Sequence, residues 1–269
     1  MNLRTLSNRP VFVAACGGFL GLLLRALLYR IGFDDRGILS ASHPLQLACL
    51  VLAAVVILYL ALKSRSLPEY PDDQSQLRFL LGLAAGCLLL LQGLTLYHQS
   101  TASPNLNHLF SGSLPTVRRV TALLPLSRCL LTALAGIAMA ICGLPDAKNR
   151  SLSAVCHGAV CVVFAADMLG RYQSWSGNPQ LPDYVFHVLA GVALSLSAYQ
   201  SLALHTGLGK LRIHRFWCLS ALFLCILCLA GPEPRAFYLS GACWALFCLL
   251  TPMPPQAREP EEEASDVSA

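Results

Sequence analysis

Charged residues are few in this chain, and they are gathered into short clusters between long apolar runs. That segregation constrains the fold more than any other feature. A helix needs about 20 consecutive apolar residues to cross the hydrocarbon of a bilayer. Within lipid its backbone N–H and C=O groups must be satisfied inside the segment itself. Eight runs meet or approach that length: residues 11–29, 45–62, 77–97, 120–144, 152–170, 184–204, 216–231 and 236–253. The expected architecture is all-α: a polytopic transmembrane bundle of eight spans over residues 1–253, followed by a disordered acidic tail at 254–269. The seventh run is short, and if it does not cross, the count falls to seven. Only 12% of the 269 residues are charged, against about 25% in a soluble domain. So few charges do not coat a water-soluble surface.

The punctuation agrees with this division. Pro44, Pro182, Pro232 and Pro234 fall at span edges, where a missing N–H costs least. Gly143, Leu144 and Pro145 close the fourth run as a helix end does, and Pro125 predicts a bend near its start. Tyr29, Tyr59, Tyr97, Tyr172, Trp175, Tyr184, Trp217 and Tyr238 mark the edges as an interfacial aromatic belt. The N-terminus and the even-numbered connections carry eleven Lys and Arg, and the opposite side six. That bias predicts both termini in the cytoplasm and, as location, the cell membrane of a bacterium. Arg4 and Arg9 precede the first apolar run as in a signal peptide, but the run continues past Cys16 to Leu24, which predicts an uncleaved first span.

All twelve cysteines lie inside the apolar runs, which reads as packing rather than disulfide or metal chemistry. Cys225 and Cys228 form an isolated i, i+3 pair with no second pair beside it. His43, His98, His108 and His187 share the predicted outer side without ligand spacing, so no metal is expected. The chain has no phosphate-cradling glycine loop, no His-Glu-x-x-His and no Gly-x-Ser-x-Gly. An ATP-driven pump and a soluble-type hydrolase are thereby disfavoured, and no cofactor or catalytic residue is called. The net charge is +5, but the bases flank spans, so membrane lipids rather than nucleic acid are their expected partners.

Ionisable groups within spans cost about 2.5–3.5 kcal/mol each on insertion scales, so each needs a reason to be there. Five qualify: Arg25, Arg128, His157, Asp167 and His187, with Gln92 a milder sixth. Following the alternating direction of the spans places Arg25, Arg128, Asp167 and His187 at one level near the outer leaflet, and His157 near the inner side. Asp167 and Arg171 are four residues apart, acid before base, the favourable order on one helix face. The segment 172–184 follows as a loop restrained by proline. The sharp expectation is a polar site for an anionic ligand, with Arg25, Arg128 and Arg171 as forked donors, Asp167 orienting one of them and His187 at the edge. The competing expectation is bland: arginines that snorkel to head groups, an ordinary intrahelical ion pair and an interface histidine.

The leading function is therefore a transporter-like or small-molecule-binding membrane protein. The alternative is a non-catalytic scaffold, sensor or complex subunit. It would work through Lys210, Arg212, His214 and Arg215 of the 210–215 connection, or through the acidic tail. An intramembrane enzyme acting on a lipid, with Asp167 and His187 as acid and base, ranks below both. Gly17 and Gly21 in the first run, and Gly82 and Gly86 in the third, predict close helix approach, within the chain before between chains.

Overall fold

A computed structural model describes residues 9–32, 43–64, 75–101, 116–144, 150–175, 181–231 and 234–251. Among the described residues the chain is all-helical, with no strand. The described residues form eight helices: α1 (Arg9–Ile31), α2 (Pro44–Lys63), α3 (Ser75–Thr101), α4 (Thr116–Gly143), α5 (Arg150–Trp175), α6 (Leu181–His205), α7 (Leu211–Cys228) and α8 (Arg235–Leu250). Six of them, α1, α2, α3, α5, α6 and α7, are long and apolar enough to cross a membrane. The apolar stretch Ser127–Gly143 of α4 and the whole of α8 are shorter.

Local chemistry explains several boundaries. His43 caps α2 by accepting from the Leu45 N–H at 3.4 Å, and Pro44 follows in the first turn, where its missing donor is no loss. α6 ends in a left-handed residue, Gly207, at φ +81°. There the Leu208 N–H donates to the Ala203 carbonyl (2.8 Å) and the Gly207 N–H to that of Leu204 (3.1 Å). This paired cap turns the chain straight into α7, so α6 and α7 pack as neighbours.

That turn corrects one sequence expectation. The seventh helix does not begin at residue 216; it begins at Leu211, and its first turns contain Arg212, His214 and Arg215. His214 points into the protein and is buried, while Lys210 and Arg212 stay exposed. Helical periodicity separates the inward histidine from its outward basic neighbours, so most of 210–215 is helix rather than connection. A second correction concerns 172–184. α5 continues to Trp175 and α6 begins at Leu181, so only 176–180 remain between them, outside the described residues. α3 and α4 likewise extend into the expected 98–119 connection. α4 runs through Pro125 without a break. His108 and the 254–269 tail lie outside the described residues.

α8 is the axis of the bundle. Ser240 donates to the Ala85 carbonyl of α3 at 2.7 Å and lies 3.7 Å from Met139 Sδ of α4. Phe237 meets Phe164 of α5 edge-on at 5.8 Å, and a Cβ at Gly241 would sit 2.9 Å from Leu194 of α6 and 3.0 Å from Cys225 of α7. α8 therefore touches five helices, which fits a sequence that beyond Arg235 is uncharged, almost uniformly apolar and rich in small residues. Its 16 residues span only about 24 Å, and one stripe of it, with Leu239 exposed and Cys243 and Leu246 half-buried, faces outward. The α1–α2 hairpin packs outside this ring against α7. Gly18 and Gly21 make the approach possible: a Cβ there would lie 2.9 Å from Ile226 and 2.7 Å from Leu227. None of the twelve cysteines forms a disulfide, and seven are buried as packing residues.

Candidate functional site

The polar site is assembled at one end of the bundle, where α1, α5 and α7 finish and α6 and α8 begin. Asp167 of α5 is its hub. Its Oδ2 accepts from Arg171 Nε one turn later at 2.5 Å. Its Oδ1 accepts from Arg128 of α4 through Nε at 3.1 Å and also through Nη2. One carboxylate thus joins two helices through charge-assisted bonds. The Arg171 guanidinium then lies over the Phe237 ring at 4.6 Å and near that of Tyr238 at 5.9 Å, both on α8.

Tyr238 passes the network on. His187 Nδ1 is 2.5 Å from the Tyr238 hydroxyl, and His187 Nε2 is 3.1 Å from Arg25 Nη2. A guanidinium can only donate, so Nε2 must accept. Neutral His187 therefore carries its proton on Nδ1 and donates it to Tyr238, an assignment made from partner chemistry. Arg25 also donates to the Tyr29 hydroxyl at 2.9 Å and rests on the Phe186 ring at 5.2 Å. Two glycines make room. A Cβ at Gly231, just past α7, would fall 2.9 Å from the His187 ring, and the Arg128 guanidinium lies 3.4 Å from the Cβ position of Gly170.

All five predicted residues, Arg25, Arg128, Asp167, Arg171 and His187, therefore meet in one network from α1, α4, α5 and α6. Their burial differs in a way that matters. Arg25 is 0% exposed, so it does not snorkel, and Arg171 and His187 are also buried. Arg128 keeps 30% of its side chain exposed. Tyr238 was expected in the interfacial belt and is instead buried against His187. A tyrosine at a span edge carries the same sequence signal in both settings. Only the central position of α8 distinguishes them. Phe237 and Phe186 carried no signal beyond hydrophobicity.

Removing the Tyr238 hydroxyl takes away the acceptor of the His187 Nδ1–H in a buried site. Tyr238→Phe is expected to cost about 1–3 kcal/mol, read as a shift in the unfolding midpoint of the purified protein. A shift no larger than that of Tyr97→Phe, on an exposed tyrosine, would contradict the assigned bond.

The remaining candidates lie elsewhere. Gln92 is buried on α3, where its Oε1 accepts from Thr95 at 3.4 Å. His157 sits at the opposite end of the bundle, its ring 4.9 Å from His205 and 5.0 Å from Trp244. His43 caps α2 and His98 is exposed on α3, so neither joins His187. Among the described residues no group of three or more His, Cys, Asp or Glu is placed to hold a metal ion. No family model, no curated protein and no solved structure matches the sequence.

Proposed function

We propose that the chain is a transporter-like, small-molecule-binding protein of the cell membrane, crossing it eight times with both termini in the cytoplasm, and that the site binds a small anion near the outer leaflet. One observation supports this above the others. Arg128 is fixed by Asp167 on one edge, laid against Gly170 on its face, and still 30% exposed. A guanidinium held rigid but not used up is a pre-organised anion donor. Arg25 and Arg171 engage further partners as well, so Arg128, rather than a count of charges, recommends an anion. The other residues have supporting parts: Asp167 orients Arg128, and Arg171, Tyr238, His187 and Arg25 tie the surrounding helices together.

An acid–base enzyme fits this geometry less well. Both Asp167 oxygens receive guanidinium donors, and both His187 nitrogens are taken. Neither offers a proton to a substrate. The scaffold alternative loses part of its handle, since His214 faces inward.

The test is thermal unfolding of the purified protein with and without inorganic phosphate, sulfate or succinate. An ion present at 100 times its dissociation constant stabilises by about 2.7 kcal/mol. Arg128→Gln is expected to weaken binding by about tenfold to a hundredfold, from the loss of about 1.5–3 kcal/mol of charged hydrogen bonding. Arg128→Lys should fall between, because lysine cannot fork. If none of the three ions stabilises the wild type, or Arg128→Gln is stabilised equally, the anion site is wrong.

A further inference from the structure

Charge is divided between the two ends of the bundle. At the end away from Asp167, α2 finishes with Lys63, α3 opens near Arg78 and α5 opens with Arg150. α7 carries Lys210 at its cap and then Arg212 and Arg215. The acids among the described residues are Asp167 and Asp183, and both lie toward the other end. Lys63, Arg78, Arg150 and Arg215 engage further partners. Lys210 and Arg212 are exposed, and no hydrogen bond or ion pair holds their side chains among the described residues. α7 also begins with no acid in its first turn and no side-chain cap, so the partial positive charge of its N-terminus adds to theirs. Like charges gathered in this way repel one another, and a run of carboxylates relieves them.

The chain supplies such a run close by. Residues 254–269, which follow α8, hold Glu259, Glu261, Glu262, Glu263 and Asp266 against one base, Arg258. The packing of α7 on α8 fixes where this segment starts. A Cβ at Gly241 would lie 3.0 Å from Cys225 Sγ, so those two residues are level. The two helices are joined by a short connection and run in opposite directions from there. Arg212 is thirteen residues before Cys225, and Leu250 is nine after Gly241, about 20 Å and about 14 Å along the axes. Arg212 therefore stands about 6 Å beyond the end of α8, on a neighbour whose axis is about 8–10 Å away. Glu259 is eight residues past Thr251, a reach of up to about 26 Å. That more than covers the distance.

We propose that the acidic segment 259–266 docks on this basic face, with Lys210 and Arg212 as its principal contacts. A single exposed ion pair is worth little. Here the tether holds the partners at an effective concentration of about millimolar, and several weak pairs act together. The face lies apart from the anion site, and its occupation by the tail does not depend on that site.

Carbodiimide coupling of the purified full chain is the test. The reagent activates a carboxylate, and an amine in contact displaces it to form an amide with release of the urea. The chain's lysines are Lys63, Lys148 and Lys210, so the products are few. In phosphatidylcholine nanodiscs an amide should join Lys210 to Glu259, Glu261, Glu262 or Glu263. When labelled and unlabelled protein are mixed, it should form within one copy. Its yield should fall about tenfold between about 0.01 and about 1 M salt, where the screening length drops from about 30 Å to about 3 Å. Arg212→Gln keeps the amine, removes a neighbouring charge and should lower the yield about threefold. No Lys210 product while added glycine amide labels the same glutamates, or a product that joins two copies, overturns the docking. So does a yield indifferent to salt or to Arg212→Gln, which would mean that the tether alone brings the groups together. Loss of the product when phosphatidylglycerol replaces phosphatidylcholine would give the face to lipid head groups and overturn it as well.

Discussion

Asp167→Ala should be among the most damaging single substitutions in the chain, lowering stability by about 3–5 kcal/mol, as breaking a buried ion pair does. The carboxylate takes donors from α4 and from the next turn of α5, and it is almost wholly shielded from solvent. Removing it leaves Arg171 buried without this carboxylate and releases Arg128 from α5. Asp167→Asn, which keeps an acceptor but no charge, should lose less. Because the groups act as a unit, Asp167→Ala with Arg171→Met should be less destabilised than the sum of the two changes, by about 0.5–3 kcal/mol. Reversible unfolding in mixed micelles measures these losses, with Arg171→Met alone completing the cycle. A loss below about 1 kcal/mol, typical of an exposed pair, would mean that water reaches the site and that the network does not hold the helices together.

The helices were legible because lipid leaves a hydrophobic run no other regular structure to adopt, and because proline and glycine sit at its ends. Their limits were less legible where charge and helix overlap. Arg212 and Arg215 read as connection but lie on α7, since an exposed first turn tolerates charge while His214 on the same turn faces inward. For the site, the common level of Arg25, Arg128, Asp167 and His187 follows from chain direction alone. Their convergence does not, because sequence spacing fixes neither which helices are neighbours nor how each is rotated. That is why Tyr238 was missed. Beyond Arg235 its helix is so apolar on every side that no face is marked as inward.

Gly86→Leu is expected to have an effect of comparable size by another mechanism. A Cβ at residue 86 would stand 2.5 Å from the Gly136 carbonyl oxygen and 2.9 Å from Ala140 Cβ, and one at Gly136 would reciprocate at 2.8 Å from the Gly86 oxygen. These obstacles are backbone and methyl groups, with no flexible side chain to swing aside. A side chain at 86 must therefore push α3 off α4 along the most extensive helix pairing in the protein. Displacing α3 also breaks the bond from Ser240 to Ala85, next to Gly86, which ties α3 to the central helix. Gly86→Ala should cost about 1–3 kcal/mol, the usual range for overpacking, and the leucine more, with most of the protein recovered as aggregate in size-exclusion chromatography. Gly93→Ala is the control on the same helix, because its nearest contact would be 3.4 Å, an ordinary van der Waals distance. If Gly86→Leu changed only the oligomeric state and left the unfolding midpoint intact, the glycine stripe would instead be serving a contact between two copies of the chain. With α4 already seated against it, the expected loss is one of internal stability.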